Sequence, residues 1–189
     1  AIDIICSNSP SMSEESRMKL NTSFDVTDSI WSDRPELPDA PLLIHDVKFA
    51  GETASAKIAK ILADAAEQGA DSVFISALDE IAWTLNVRSR DVNCNPVAYA
   101  FLYLSPEGNT LFIKEEKITP EVADALAAAN VSVAPYDTVI PFLSSLPASA
   151  TVLYEGARVA ARLVDALGDR AVAGASPIPL LKAVKNSTQ

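Results

Sequence analysis

Histidine, cysteine and glycine are scarce in this chain, and each scarcity removes a class of chemistry. Its 189 residues include one histidine, two cysteines and six glycines. His45 alone cannot assemble a metal site or a catalytic triad, and neither an HExxH sequence nor a nucleophile beside a base is present. It reads as a surface or packing residue. Cys6 and Cys94 are too few for a disulfide framework in a chain of this length, which fits a reducing cytoplasm. Cys94 stands between asparagines, which do not lower a thiol pKa as a cation does, so it reads as structural. Six glycines leave little material for a phosphate-cradling loop, and no GxGxxG, GxxxxGKS or GxxxxGKT occurs, so nucleotide binding has no support.

Long apolar runs and surplus positive charge are missing too. No stretch approaches the roughly 20 apolar residues that span a bilayer, and no basic segment followed by an apolar one marks a leader. A net charge of -10 and a pI near 4.5 disfavour nucleic acid and anionic membrane surfaces as partners. What is present is 49% hydrophobic residues and a mean hydropathy of +0.16, enough for one good core or two small ones. The chain begins at Ala1 and ends in the polar run Lys185-Asn-Ser-Thr-Gln189, and it reads as a fragment of a longer protein.

Helical and strand signals alternate. Ile2 to Cys6 suggests a strand and the segment up to Leu20 a helix, followed by a connector with Pro35, Pro38 and Pro41. Ala54, Ile58, Ile61, Leu62, Ala65 and Ala66 recur at helical spacing, with Thr53 as N-cap and Gly69 just past the end. Asp71 to Ser76 reads as a buried strand. Val97 to Leu104 and Asn109 to Lys114 flank Ser105-Pro-Glu-Gly108 and predict an antiparallel hairpin. Thr119 and Pro120 open another helix, followed by a strand at Val131 to Ala134. Asp137 is expected to cap a helix through Leu146. Strands at Thr151 to Tyr154 and Arg170 to Ala173 then flank a helix ended by Gly168. The hairpin interrupts the βαβ rhythm, so an α/β fold with a mixed sheet is expected.

The polar groups concentrate between Ser76 and Val97. Ser76 and Asp79 fit a capping box for a helix from Leu78 to Asn86, with Asp79 and Glu80 at the favourable end of its dipole. That accounts for the two carboxylates without catalysis. Trp83 at helical spacing reads as core. Arg88, Arg90, Asp91 and Asn95 then form a polar loop with two open readings: an arginine and aspartate pair knitting the surface, or a substrate-entrance or inter-domain loop. No catalytic and no metal-binding residue can be named.

With those residues laid out, the stretch Ser76-Ala-Leu-Asp-Glu-Ile-Ala-Trp83, Asn86-Val-Arg88, Asp91-Val92 and Asn95-Pro-Val97 resembles the non-catalytic middle domain of aminopeptidase P, the Xaa-Pro aminopeptidases. Ile30-Trp-Ser-Asp-Arg-Pro35 resembles the family's connector into that domain, and Phe49-Ala-Gly51 the start of its first helix. Ser176-Pro-Ile178 and Lys182-Ala-Val-Lys-Asn186 resemble the passage towards its catalytic domain. The resemblance implies a creatinase/prolidase N-terminal-type fold with a ribonuclease H-like motif over residues 28–175, preceded by 1–27 and followed by a linker, 176–189. It also implies a separate catalytic domain with two divalent metals, commonly manganese, which this chain lacks. Its own N-terminal and catalytic domains, and indirectly a peptide substrate, would be its partners. A binding scaffold from a catalytically inactive relative, or a fragment of a prolidase or creatinase type of hydrolase, is the alternative. Where the family usually has Gly after the arginine this chain has Ser89, which is expected to cost backbone freedom if φ there is positive. Ala98 likewise stands where Phe is frequent.

Overall fold

The computed structural model describes residues 30–186 and 188; the strand and helix expected before Leu20 lie outside them. After an irregular proline-containing connector come β1 (Leu43–Ile44), α1 (Val47–Ala50), α2 (Ala54–Glu67), β2 (Ser72–Ile75), α3 (Leu78–Leu85) and β3 (Val87–Arg88). The chain continues through β4 (Ala100–Leu104), β5 (Asn109–Ile113), α4 (Pro120–Ala128), β6 (Val131–Pro135), α5 (Val139–Ser145) and β7 (Val152–Tyr154). It closes with α6 (Ala161–Leu167), β8 (Ala171–Ala173) and α7 (Ile178–Ala183).

The main sheet has the order β6-β5-β4-β2-β7-β8. β2, β4 and β5 run antiparallel to their neighbours within that trio, whereas β6 is parallel to β5, and β7 and β8 extend from β2 in parallel. The mixed sheet is therefore the one expected, with the hairpin at its centre. A small antiparallel pair, β1 with β3, stands apart from it.

Period-two alternation divides the core. Val73, Ile75, Leu102, Leu104, Leu111, Ile113 and Leu153 face α2, α3 and α4, where Ile58, Ile61, Ile81, Leu85, Val122 and Leu126 meet them. Phe74, Tyr103, Phe112 and Val152 face α5 and α6, packing on Leu143, Leu163 and Leu167. Phe142 sets its ring edge-on to Tyr103 and Phe112 at 5.1 and 5.0 Å. A sheet covered on both faces explains why Val73-Phe74-Ile75 is apolar without interruption.

Local signals act where the sequence places them. Thr53 accepts from the Ala56 amide at the start of α2, Gly69 takes φ +82° after its end, and Thr119 accepts from the Val122 amide with Pro120 in the first turn of α4. Two expectations need correction. Ala77, not Ser76, is the N-cap of α3 and has no side-chain cap; Ser76 lies one residue too early and donates instead to the Arg158 carbonyl at 2.6 Å. Asp137 does not cap α5, because a 3-10 turn over Tyr136–Thr138 intervenes and Thr138 precedes the helix.

Leu102 and Phe112 are fully enclosed on opposite faces of the sheet. Leu102→Ala is expected to cost roughly 2–5 kcal/mol and Phe112→Ala roughly 3–5 kcal/mol. Urea denaturation should give lower midpoints with an unchanged slope; a loss under 1 kcal/mol in both would contradict this packing.

Candidate functional site

The stretch after α3 begins with a hub at Asn86. Asn86 adopts the left-handed conformation at φ +54°, which Asn tolerates better than most residues, and so ends α3. Its Oδ1 accepts from Lys57 Nζ at 2.6 Å, its Nδ2 donates to the Glu52 carbonyl at 2.8 Å, and its own carbonyl accepts from the His45 amide at 2.8 Å. Lys57 also donates to the Trp83 carbonyl at 2.8 Å and lies 4.2 Å from the centre of the Trp83 ring. One buried ammonium thus serves a helix C-terminus and an aromatic face together.

Arg88 follows on β3. Its Nη1 donates to the carbonyls of Ala82 and Val87 at 3.0 and 2.8 Å. No carboxylate of the described residues comes within 4 Å of Arg88 or Lys57. Burial lowers the pKa of Arg88, and burial moves Lys57 from 10.5 to about 8. Burial also lowers the pKa of His45, helped by the charges of Arg88 and Lys57 and opposed by Asp46.

Beyond Arg88 the loop is a small hairpin of its own. The amides of Ser89 and Asp91 donate to the carbonyls of Pro96 and Val97, and Asn95 closes a turn onto Val92. Cys94 takes φ +61° at that turn and is exposed, so it supports the turn without packing into a core. Asp91 turns inward. Its side chain is wholly buried against Lys117, itself buried, while its oxygens also accept from the Tyr99 amide at 2.8 Å and lie 3.2 Å from Ser89 Oγ. Lys117 donates further to the Ala40 carbonyl at 3.0 Å. Ser89 is not among the described residues with positive φ, so the expected backbone cost of replacing glycine does not arise. Its hydroxyl lies 3.1 Å from the Ala40 carbonyl instead. Ala98 is buried in the core beneath the loop.

Of the four loop residues singled out in the sequence, Arg88 is therefore half-buried against α3, Asp91 is internal, and Arg90 and Asn95 are exposed. They do not converge on one point. The partner of Asp91 is Lys117 rather than either arginine.

A second polar cluster joins α3 to residues 155–182. Lys182 Nζ meets Asp79 at 2.5 Å, Ser176 Oγ donates to Glu80 Oε2 at 2.8 Å, and Arg158 stands 3.9 Å from Asp79 and Glu80 and 3.1 Å from Glu155. Burial raises the Glu80 pKa. At Asp79 burial opposes ionisation, but the Lys182 hydrogen bond and charge prevail and lower its pKa. The segment expected as a linker is thus docked on the domain, with Ile178 completely enclosed and Asn186 donating to the Ala50 carbonyl. Lys57, Lys117 and Arg158 escaped the sequence reading. Lys57 had a signal, since it lies four and eight residues before Ile61 and Ala65 on the buried stripe of α2.

Residues 33–189 match the model of the creatinase/prolidase N-terminal domain. The chain belongs to that family. Aminopeptidase P2 of Arabidopsis thaliana is 38% identical to it over 66% of the chain and 18% of the plant protein. Xaa-Pro aminopeptidase 1 of Dictyostelium discoideum is 30% identical over 90% of the chain and 27% of that protein. Among solved structures, an X-prolyl aminopeptidase of Caenorhabditis elegans, described as a cytosolic enzyme with a di-nuclear active site, superposes with a TM-score of 0.79 at 26% identity, covering 87% of this chain and 28% of its own. The chain thus spans about a fifth to a quarter of these relatives' length. The resemblance carried by the Ser76 to Val97 motifs is borne out, and so is the fold it implied. Among the described residues no three His, Cys, Asp or Glu side chains gather to hold a metal, and no helix is long and apolar enough to cross a membrane.

Removing one member of the buried Asp91 and Lys117 pair leaves the other charge uncompensated. Asp91→Ala is expected to cost about 3–5 kcal/mol, and Asn95→Ala within about 0.5 kcal/mol; equal urea midpoints would refute this assignment. For Lys57 the folded pKa, about 8, lies below the unfolded 10.5, so the unfolded chain binds more protons between those values. Stability contributed by this group should rise as pH climbs from 8 to 10.5, by up to roughly 3 kcal/mol, and Lys57→Met should flatten that slope. Urea midpoints of the two proteins at stepped pH provide the comparison.

Proposed function

We propose that this chain is the non-catalytic middle domain of a cytoplasmic, metal-dependent Xaa-Pro aminopeptidase, and that it shapes substrate access and holds the domains on either side. The observation that carries the proposal is the match of residues 33–189 to a domain family whose relatives here are Xaa-Pro aminopeptidases several times as long. The arrangement of the site is consistent with that reading: Asp91, Asp79, Glu80 and Glu155 are engaged by Lys117, Lys182, Ser176 and Arg158, and both faces of the main sheet are covered by helices.

Its surface suits an internal domain. Phe49, Leu180 and Val184 are exposed at 59%, 71% and 70%, on the elements that the Asn186 to Ala50 hydrogen bond brings together. Large apolar side chains so exposed favour burial by a neighbouring protein surface. The two divalent metals, probed as manganese, belong to the catalytic domain in this reading, which fits the di-nuclear site described for the nematode relative. In this reading the described residues 30–175 belong to the domain body, and 176–186 lead from it with α7 still packed on α3.

The 189-residue chain with manganese should hydrolyse an Xaa-Pro peptide no faster than buffer, whereas the longer parent protein should cleave it. Hydrolysis by this chain alone would overturn the proposal. In the parent, Arg88→Gln should lower kcat/KM more than its effect on melting temperature accounts for. A lowered melting temperature with unchanged kinetics would make Arg88 a fold-supporting residue only.

A further inference from the structure

Residues 176–186 are fastened to the domain by polar contacts of unequal quality. Lys182 is paired with Asp79, and Asn186 donates to the Ala50 carbonyl beside Gly51, where a Cβ would strike the Asn186 side chain. Glu80 is the weak member. Ser176 Oγ donates to its Oε2 at 2.8 Å, while its Oε1 is enclosed and accepts no hydrogen bond. Arg158 comes no nearer to that oxygen than 3.9 Å.

The charges around Glu80 do not balance. Three carboxylates, Asp79 and Glu80 on α3 and Glu155 after β7, meet two cations, Arg158 and Lys182. Lys182 belongs to Asp79, and Arg158 lies closest to Glu155 at 3.1 Å, so one negative charge has no cation of its own. Asp79 and Glu155 keep side chains 50% and 31% exposed, whereas that of Glu80 is 3% exposed. Water screens the first two, and a proton answers the third. Ser76 and Tyr154 border the same crevice and supply no cation. Burial raises the Glu80 pKa; Asp79 and Glu155 add to the rise, and the Ser176 hydrogen bond and Arg158 oppose it.

We propose that Glu80 is a proton-operated latch on residues 176–186: with its carboxyl neutral the segment lies docked on α3, and loss of the proton leaves an uncompensated anion beneath the segment and loosens it. The segment is part of the enclosure, since Ser176 bonds Glu80 directly and α7 packs on α3. Opening it returns the carboxyl to water and to its ordinary midpoint. The docked carboxyl keeps its proton to higher pH than the open one, so docking is firmest below the ordinary carboxyl midpoint and weakens as pH rises through the docked one. The latch stands whether or not the parent is a peptidase, and its test reads no hydrolysis.

Two NMR measurements on the whole 189-residue chain test it between about pH 4 and 8. Carbon-13 in the glutamate side chains follows the Glu80 carboxyl itself. Amide exchange, corrected for its intrinsic pH dependence, follows Leu181 and Val184, which donate to the Pro177 and Leu180 carbonyls of α7. The enclosed Leu102 of β4 reports global unfolding. Glu80 should titrate above the other glutamates, and the opening equilibrium of α7 should grow by up to about tenfold per pH unit until the Glu80 midpoint is passed, then level off. Glu80→Gln should keep α7 protected at every pH. Glu155→Gln removes a neighbouring like charge and leaves the latch in place, so it should lower the Glu80 midpoint and shift the onset of the plateau with it. The proposal fails if Glu80 titrates as an ordinary glutamate, if α7 exchange is flat across the range, or if Glu80→Gln keeps the slope of the unmodified chain. It fails equally if Leu181 and Val184 are as protected as Leu102, because the segment then does not open by itself.

Discussion

The Lys57 ammonium under the end of α3 is the interaction on which the rest of this corner depends. It accepts no substitute easily, because it meets three demands together: the free carbonyl of Trp83, the side chain of Asn86, and the face of the Trp83 ring. Asn86 must be left-handed to turn the chain from α3 into β3, and its carboxamide ties that turn to Glu52 ahead of α2. Its carbonyl holds the His45 amide, and β1 pairs with β3 beside it. The orientation of Arg88 is a consequence of that frame. A buried ammonium opposes folding by desolvation and is retained where hydrogen bonds and an aromatic face offset the cost.

A second buried cation fixes the other end of the loop. Lys117 and Asp91 are closed off from solvent, and around them Ser89, Tyr99 and Ala40 complete the hydrogen bonding. Such pairs add little net stability compared with an apolar filling but penalise every arrangement that separates them. Residues 88–99 are thereby held between two polar anchors, Asn86 and Asp91, and the exposed tip at Cys94 and Asn95 projects from a fixed base. Ser89 fits this construction, since its hydroxyl is used between Ala40 and Asp91.

Much of the fold was legible because its signals are local. Thr53 with Gly69 and Thr119 with Pro120 bound their helices through caps that depend on a few neighbouring residues. The hairpin between β4 and β5 follows from its Pro-Glu-Gly turn, and the apolar run of β2 from burial on both faces. The supposed capping box at Ser76 failed for a reason that no local pattern contains: Arg158, 82 residues away, presents a carbonyl to that hydroxyl, and Lys182 takes Asp79. Asp91 misled in the same way. In sequence it belongs with Arg88 and Arg90, whereas its partner arrives from a 3-10 turn over Glu115–Lys117. Pairings at long separation decide the polar sites here, and sequence periodicity records only whether a position faces inward.

That division bears on what such a domain can do. Both faces of the main sheet are covered, and the buried carboxylates Asp91 and Glu80 are engaged by Lys117 and Ser176, so little of the interior is left to bind a ligand. A reactive group would need a lowered barrier to losing or gaining a proton and access to a ligand; Glu80 and Lys57, whose pKa values are displaced by burial, lack that access, being 3% and 1% exposed. Displaced pKa values mark functional sites only when the group faces a space where substrate can sit. What remains open is the surface, where the apolar side chains of Phe49 on α1 and Leu180 on α7 face outward and would gain from burial against another surface.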